Sequence, residues 1–423
     1  MVHLGFDDTD SREGLCTTWL ATEFVREFGD WDLIGYPRLV RLNPSVPWKT
    51  RGNGALCLRF GRGLGTPFTV GEIAGRSIRA FNRGRPAAVD DAFEARVRSV
   101  LERGCAFEDP MTHPGYAVLH RRPKASLYWA AVRRIVSVEE ALDAGSGCGR
   151  TGGYKEGRGR IGALAAISWR PRDRTYEVLA YRHPSRWGTL RDVDEGSVIE
   201  MDRRFPSTFH NYDYANRTVV LAPRSPCPVL CGIRGEDPSV LPDALRALRT
   251  EPVDRWLLFE TNQGTDDHIV AKPAMVPLTS LAVGGVVVSP PKTLPGGHVV
   301  VTIARGRSRI DCTVYEPSKE LRRVARSLLP GDRVRAVGSV RDSPRTINVE
   351  KIEIIALAAA EKTRALAVGW YEPAVSARRH LSKPLSRVGG SRWPQTMAQG
   401  RSGSPGPRSP HSSRLHQGIR GSA

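Results

Sequence analysis

Nowhere does this chain hold the ~18 to 20 uninterrupted apolar residues that a bilayer-spanning helix needs, and no basic-then-apolar leader precedes its first strand-like segment. Both absences lead us to expect a soluble, cytoplasmic protein with no membrane partner. The seven cysteines (Cys16, Cys57, Cys105, Cys148, Cys227, Cys231 and Cys312) are odd in number and form no Cys-x-x-Cys pair. That argues against a disulfide framework and leaves no zinc site of ordinary spacing. Cys227 and Cys231 stand closest together, with neither a second pair nor a neighbouring histidine in sequence. A Walker loop is also missing, because no Gly-Lys-Ser/Thr follows a glycine-rich run at the required spacing.

Positive charge is in excess. The 423 residues carry 63 Lys/Arg against 44 Asp/Glu, a net +19, and the length suits about two to four domains. Such an excess points to a polyanionic partner, nucleic acid first. Residues 361–423 hold 11 Lys/Arg against 2 Glu, so +9 of the +19 lies there and +10 remains for the rest.

Against that background one acidic cluster stands out. Residues 5–18 read Gly-Phe-Asp-Asp-Thr-Asp-Ser-Arg-Glu-Gly-Leu-Cys-Thr-Thr. The apolar Val2–Phe6 suits a short buried strand, and Thr17–Phe28 has helical apolar spacing. Asp7, Asp8 and Asp10 therefore sit at a strand end, just before the hydroxyls of Thr17 and Thr18. Crowded carboxylates repel unless a proton or divalent cation intervenes, and hard oxygen ligands suit Mg²⁺ carrying phosphates. A helix start beside them offers N–H groups to a phosphate. The competing reading is a turn with a helix cap at Ser11 or Thr17. Asp8-Thr9-Asp10 alone also suits an Asp-x-Asp phosphatase.

Two further segments carry chemistry. Tyr36–Phe60 alternates apolar and basic residues, breaks at its prolines and resumes as a strand after Gly52-Asn53-Gly54. Lys49 and Arg51 there suit a phosphate or substrate loop, or merely a solvated hairpin. Gly145–Ala166 is glycine-dense and basic, and Lys155, Arg158 and Arg160 could neutralise phosphates approached by its backbone. The alternative is a loop ahead of an alanine-rich helix.

Taken in order, these blocks resemble the archaeal 2-agmatinylcytidine synthetase family. Gly-Phe-Asp-Asp-Thr-Asp-Ser at residue 5 and Pro47-Trp48-Lys49-Thr50-Arg51-Gly52-Asn53-Gly54 begin the series. Gly157-Arg158-Gly159-Arg160-Ile161-Gly162, Ala180-Tyr181-Arg182, Pro228–Glu236, Phe259–Asp266, Tyr315–Arg322, Leu329–Asp332 and Asn348–Lys351 follow, so the resemblance spans about residues 1–357. It implies an ATP-dependent ligase that joins agmatine to the wobble cytidine of the CAU-anticodon minor isoleucine tRNA, leaving AMP and phosphate, with no obligate protein partner evident. By resemblance, Asp7, Asp8 and Asp10 hold Mg²⁺ and the ATP phosphates, and Asp8 or Asp10 serves as base. Thr17 stands where the family carries an autophosphorylated threonine. Thr18, Lys49, Arg51, Lys155, Arg158 and Arg160 complete the ATP-binding set. Family members usually carry asparagine where Glu156 stands. Asp266 and Asp267 are candidates for gripping the agmatine guanidinium.

The resulting expectation is an α+β multidomain chain. A kinase-like α/β catalytic domain occupies 1–127 and a ferredoxin-like α+β domain 128–270. In the second, Trp129–Val136 reads as a strand, followed by a helix near Val138–Ala144, an alanine-rich segment at Gly162–Trp169 and a strand at Tyr176–Tyr181. Five strands (Thr279–Val288, Gly297–Ile303, Ser308–Val314, Arg333–Ser339, Thr346–Ile355), with a helix after the third, predict an OB-fold over 275–358. Arg322, Arg323 and Arg326 on that helix are candidates for phosphate contacts. Composition predicts a disordered basic tail over 361–423, where the family normally has a zinc ribbon, so no zinc is expected in this chain. Two explanations stand for the tail, a basic arm replacing the ribbon or a shifted reading frame near residue 360. Loss of the ribbon leaves open a tRNA-binding homologue without catalysis.

Overall fold

The computed structural model describes residues 1–271, 275–316 and 318–359; the expectations for 361–423 fall outside them. The described residues form two compact units, one over Met1–His268 and one beginning at Ile269.

In the first unit, β1 (Val2–Asp7) runs antiparallel between two strands, with Leu4 opposite Leu58 on one side and Val118 on the other. Alternation along a strand sends Val2, Leu4 and Phe6 to one face and His3, Gly5 and Asp7 to the other. The first set meets α1 (Thr17–Glu27), whose Leu20 and Phe24, with Phe28 just beyond, recur every four residues and are buried. The Phe6 and Phe24 ring centroids lie 4.6 Å apart.

After α1 come β2 (Asp32–Ile34), β3 (Arg38–Arg41), β4 (Gly54–Leu64), β5 (Phe68–Ile73), β6 (Arg76–Phe81) and β7 (Arg83–Arg85). Next is α2 (Asp91–Gly104), capped by the Asp90 carboxylate on the Phe93 N–H, which seals the α1 side with Phe93 and Val97. β8 (Gly115–Leu119) is buried throughout. The run expected as a strand at Trp129–Val136 is instead mostly α3 (Ser126–Arg133). Its buried Leu127, Tyr128, Ala131 and Val132 share one helical face; the apolar, β-branched Ile135-Val136 just beyond it gave the strand-like appearance. The expected boundary at 127 thus falls inside this helix. α4 (Val138–Gly145) and β9 (Gly149–Gly153) follow, and β9 extends the sheet beside β8.

The alanine-rich segment is α5 (Gly159–Ser168), buried on nearly every side. It lies against the second face of β1, so close that a Cβ on Gly5 would stand 2.3 Å from the Ala163 carbonyl oxygen. A Cβ on Gly162 would stand 1.9 Å from an Asp7 carboxylate oxygen. These glycines serve helix–strand packing rather than phosphate approach.

β10 (Thr175–Arg182) pairs antiparallel with Val229–Gly235 and Val253–Thr261. The latter strand also joins β3 in parallel and β5 antiparallel, so one sheet runs through the unit. Arg182 and Glu251, both about 1 % exposed, form a buried ion pair at 2.6 Å.

In the second unit, all five expected strands and the helix are found, at Ser280–Val287, Val299–Arg305, Ser308–Val314, Lys319–Ser327 (the helix), Arg333–Val340 and Ile347–Ala356. The first strand pairs with both the second and the fourth, the fourth with the fifth, and the fifth with the third. With the second–third ladder this closes a barrel around Leu281, Val301, Ile303, Val314 and Ile347.

Candidate active site

The end of β1, the start of α1, the Pro44–Gly54 loop, the end of α3 and the start of α5 surround a cleft. One wall carries Asp7, Asp8, Asp10, Thr17, Lys49 and Arg158; the other is largely apolar, with Leu42, Val46, Trp48, Ile135, Val136 and Ile161.

Asp7 ends β1 on its α5 side, over the first turn of that helix, where a negative charge is favoured. Loss of hydration, then the charges of Asp8 and Asp10, hold its pKa well above the ordinary carboxylate range. Asp8 adopts a left-handed backbone (φ 59°), which aspartate tolerates better than most residues. Burial pushes its pKa up to about 6, against the opposing pull of Arg158, whose Nη2 lies 3.6 Å from Asp8 Oδ2. Asp10 is already satisfied. Its Oδ1 accepts from Thr50 Oγ1 at 2.7 Å, and its Oδ2 from Arg51 Nε at 3.0 Å and Nη2 at 2.6 Å.

Thr17 is the first residue of α1. The cap position is Cys16, with no side-chain cap bond, so the competing capping role for Thr17 is not the one seen. The leading N–H groups of α1 therefore lack a side-chain acceptor at the cap, the setting that favours a bound anion. Thr9 donates its hydroxyl to Thr17 Oγ1 at 3.1 Å, which leaves the Thr17 proton to be directed elsewhere.

The remaining candidates divide. Lys49 lines the cleft and bonds to the Pro44 carbonyl; Arg158 lines it too and donates to the Met111 carbonyl at 2.8 Å. Arg51 acts through Asp10. Thr18 meets the Cys16 sulfur at 3.0 Å and is buried. Lys155 and Arg160 donate to backbone carbonyls of Asp109 and Gly157 and do not line this cleft. Asp267 accepts from the Tyr128 hydroxyl and, like Asp266, is away from the cleft lining.

Sequence reasoning passed over four contributors. Thr9 and Thr50 sit inside the quoted motifs, and their spacing to Thr17 and Asp10 could have flagged them. His113, whose charge tempers the Asp8 pKa, and the Ile135-Val136 wall carry no local signal. Among the described residues no cluster of three or more His, Cys, Asp and Glu side chains is arranged to hold a metal. Asp7 and Asp8 nevertheless fit a hard cation, because their shared negative charge is incompletely balanced, whereas Asp10 is neutralised by Arg51.

Fold and site define a multidomain α+β enzyme whose cleft sets a hydroxyl and an open helix start against crowded carboxylates. Comparison with known proteins makes this specific. Residues 3–151 match the TiaS TCKD domain and 157–268 the TiaS FLD domain. TiaS of Methanocaldococcus jannaschii, a 2-agmatinylcytidine synthetase for an isoleucine tRNA, is 36% identical, over 92% of this chain and 99% of its own length. The crystal structure of a complex of TiaS with its tRNA and ATP superposes with a TM-score of 0.74 at 36% identity, covering 84% of this chain and 82% of that one. A complex of TiaS with its tRNA, AMPCPP and agmatine gives 0.72 at 35%, covering 84% and 83%. This chain belongs to the TiaS family.

Proposed function

We propose that this chain joins agmatine to carbon 2 of the wobble cytidine of the CAU-anticodon isoleucine tRNA, at the expense of ATP. The observation that carries the reading is the cleft itself: Asp7, Asp8, Asp10, Thr17, Lys49 and Arg158 converge on it in a chain matching a synthetase over 99% of that relative's length.

The chemistry requires activation. The oxygen on carbon 2 of cytosine is a poor leaving group, so a phosphoryl group from ATP is transferred to it, one phosphoanhydride P–O bond of ATP breaking as the new O–P bond forms. The primary amine of agmatine then attacks carbon 2, the C–O bond breaks, phosphate departs and the amine loses a proton. In our reading Thr17 Oγ accepts the other phosphoryl group released as ATP goes to AMP, the second phosphoanhydride P–O bond breaking as the Oγ–P bond forms, and Asp8 takes the hydroxyl proton. The open start of α1, with Lys49 and Arg158, holds the anionic groups. Asp7 and Asp8 are assigned to Mg²⁺, which when bound supplies charge neutralisation at the phosphates. Arg51 holds Asp10 in place.

Reaching carbon 2 requires turning the base out of its stack, and Trp48, 37 % exposed on the apolar wall, offers a stacking face. We assign a kinase-like role to the N-terminal part and ferredoxin-like character to the region around β10; the closed five-strand ring with its helix after the third strand supports an OB-fold assignment. The test is incorporation of radiolabelled agmatine into the minor isoleucine tRNA with ATP and Mg²⁺; no incorporation would overturn the reading, and a binding-only homologue would take its place.

A further inference from the structure

At the strand ends remote from the cleft, five arginines stand exposed on three strands: Arg62 on β4, Arg83 and Arg85 on its partner β7, and Arg76 and Arg79 on β6, which β2 separates from β4. In the β4–β7 ladder Arg62 lies directly opposite Arg85, and Leu64 opposite Arg83. Residues directly opposite share a face, and like charges so placed repel. The other face is fixed inward by close packing: a Cβ on Gly63 would stand 2.3 Å from the Phe81 ring, and one on Gly84 2.4 Å from Ile34. The arginines therefore cannot turn over without breaking that packing.

Two of the nearby carboxylates are otherwise engaged: Asp30 pairs with Arg96 at 2.7 Å and Asp32 accepts the Gly63 N–H at 2.7 Å. Glu72 stands exposed across from Ser77. On the neighbouring helices and strand Arg96, Arg103 and Arg150 each have an acidic partner. None of the five rim arginines forms an ion pair among the described residues; Arg62 stacks over Trp31 and donates to the Asp30 carbonyl at 3.0 Å instead. A solvated face would not need guanidinium set against guanidinium on a locked ladder, whereas a polyanion lying across the strands would relieve the repulsion.

We propose that this rim is a second contact surface for the substrate tRNA, gripping the sugar–phosphate backbone of its helical body, away from the wobble base. This rests on the tRNA reading above. β4 sets the distance. Its first residue, Gly54, lines the cleft, and Arg62 lies eight residues on, at most about 27 Å along an extended strand. That reach exceeds the few nucleotides on either side of the wobble base, so a tRNA with that base in the cleft presents stem phosphates rather than loop bases at that range.

The experiment measures the affinity of the full chain for a full-length transcript of the minor isoleucine tRNA across a salt series, for the unmodified protein, a triple serine variant (R62S, R83S, R85S) and the matching triple lysine variant. Each lost phosphate contact lowers the slope of log K against log salt by about 1. The serine variant is expected to bind more weakly with a slope shallower by about 2 to 3, the lysine variant to keep the slope, and agmatine transfer at saturating tRNA to stay unchanged in both. An unchanged slope in the serine variant, or equal loss in the lysine variant, would overturn the rim. Absence of agmatine transfer in the unmodified protein would instead count against the ligase reading alone, since the slope is read from binding.

Discussion

Asp8 and Asp10, two residues apart, live in different electrostatic settings, and the contrast assigns their work. Asp10 is paired with the Arg51 guanidinium and hydrogen-bonded by Thr50, while burial lifts the Asp8 pKa against the pull of Arg158. We expect Thr17→Ala and Asp8→Asn each to lower agmatine transfer at least 100-fold while tRNA affinity changes only a few-fold; filter binding beside the transfer assay checks both. Trp48→Ala should raise the KM for tRNA about 10-fold, the scale of one lost base-stacking contact, and Trp48→Phe should retain most of it. His3, on β1, supplies a pH signature. Burial, then Arg122, Arg59 and Arg38, depress its pKa from 6.5 to about 3. The unfolded chain therefore binds a proton that the folded one refuses, and the His3 contribution is whole above pH 6.5 and lost as pH falls toward 3. Between pH 7 and 5 this costs about 2 kcal/mol. Urea unfolding at both pH values should show that loss in the parent and its absence in His3→Gln. The carboxylates stood out at this scale because such charge density at a strand end is unusual, whereas Thr17 was singled out by the family resemblance. His113 was not, since its neighbour Asp8 is distant in sequence.

At the level of elements, the site depends on how closely α5 lies on β1. Gly162→Ala would drive a methyl group into the Asp7 carboxylate, and we expect a stability loss of about 1 to 3 kcal/mol together with loss of transfer; thermal unfolding and the transfer assay measure the two. The sequence signalled a helix here, and its alanines made it readable. It also suggested phosphate-approaching glycines, while Gly5 and Gly162 in fact make room for helix–strand contact. α3 was misread because the short apolar run Leu127–Val132, followed after two arginines by the β-branched Ile135-Val136, is too brief for its helical period to show. The barrel strands were read to within about two residues at most ends, helped by short β-branched runs between turns and, in Val299–Arg305, by alternation of buried and less buried residues.

For the whole molecule, the +19 charge foretold a polyanion but not where it lies. Locating the surfaces took the strand register, because Arg62 and Arg85 become neighbours only in the folded sheet. On the barrel helix, by contrast, Arg322 and Arg323 pair with Glu316 and Glu320, which tempers the phosphate contacts expected of that face. If the barrel adds tRNA affinity rather than chemistry, replacing Arg326 and Arg341, the latter exposed just past the strand Arg333–Val340, with serine together should raise the tRNA Kd severalfold and leave kcat unaltered, as a tRNA titration of the transfer rate would reveal.

The central claim is a chemical one, the formation of a carbon–nitrogen bond at a single base. Its most direct test is mass analysis of the nucleosides of the CAU-anticodon isoleucine tRNA after incubation with the chain, ATP, Mg²⁺ and agmatine. The account predicts 2-agmatinylcytidine at the wobble position and nowhere else. Unmodified cytidine there, with tRNA bound and ATP present, would contradict it.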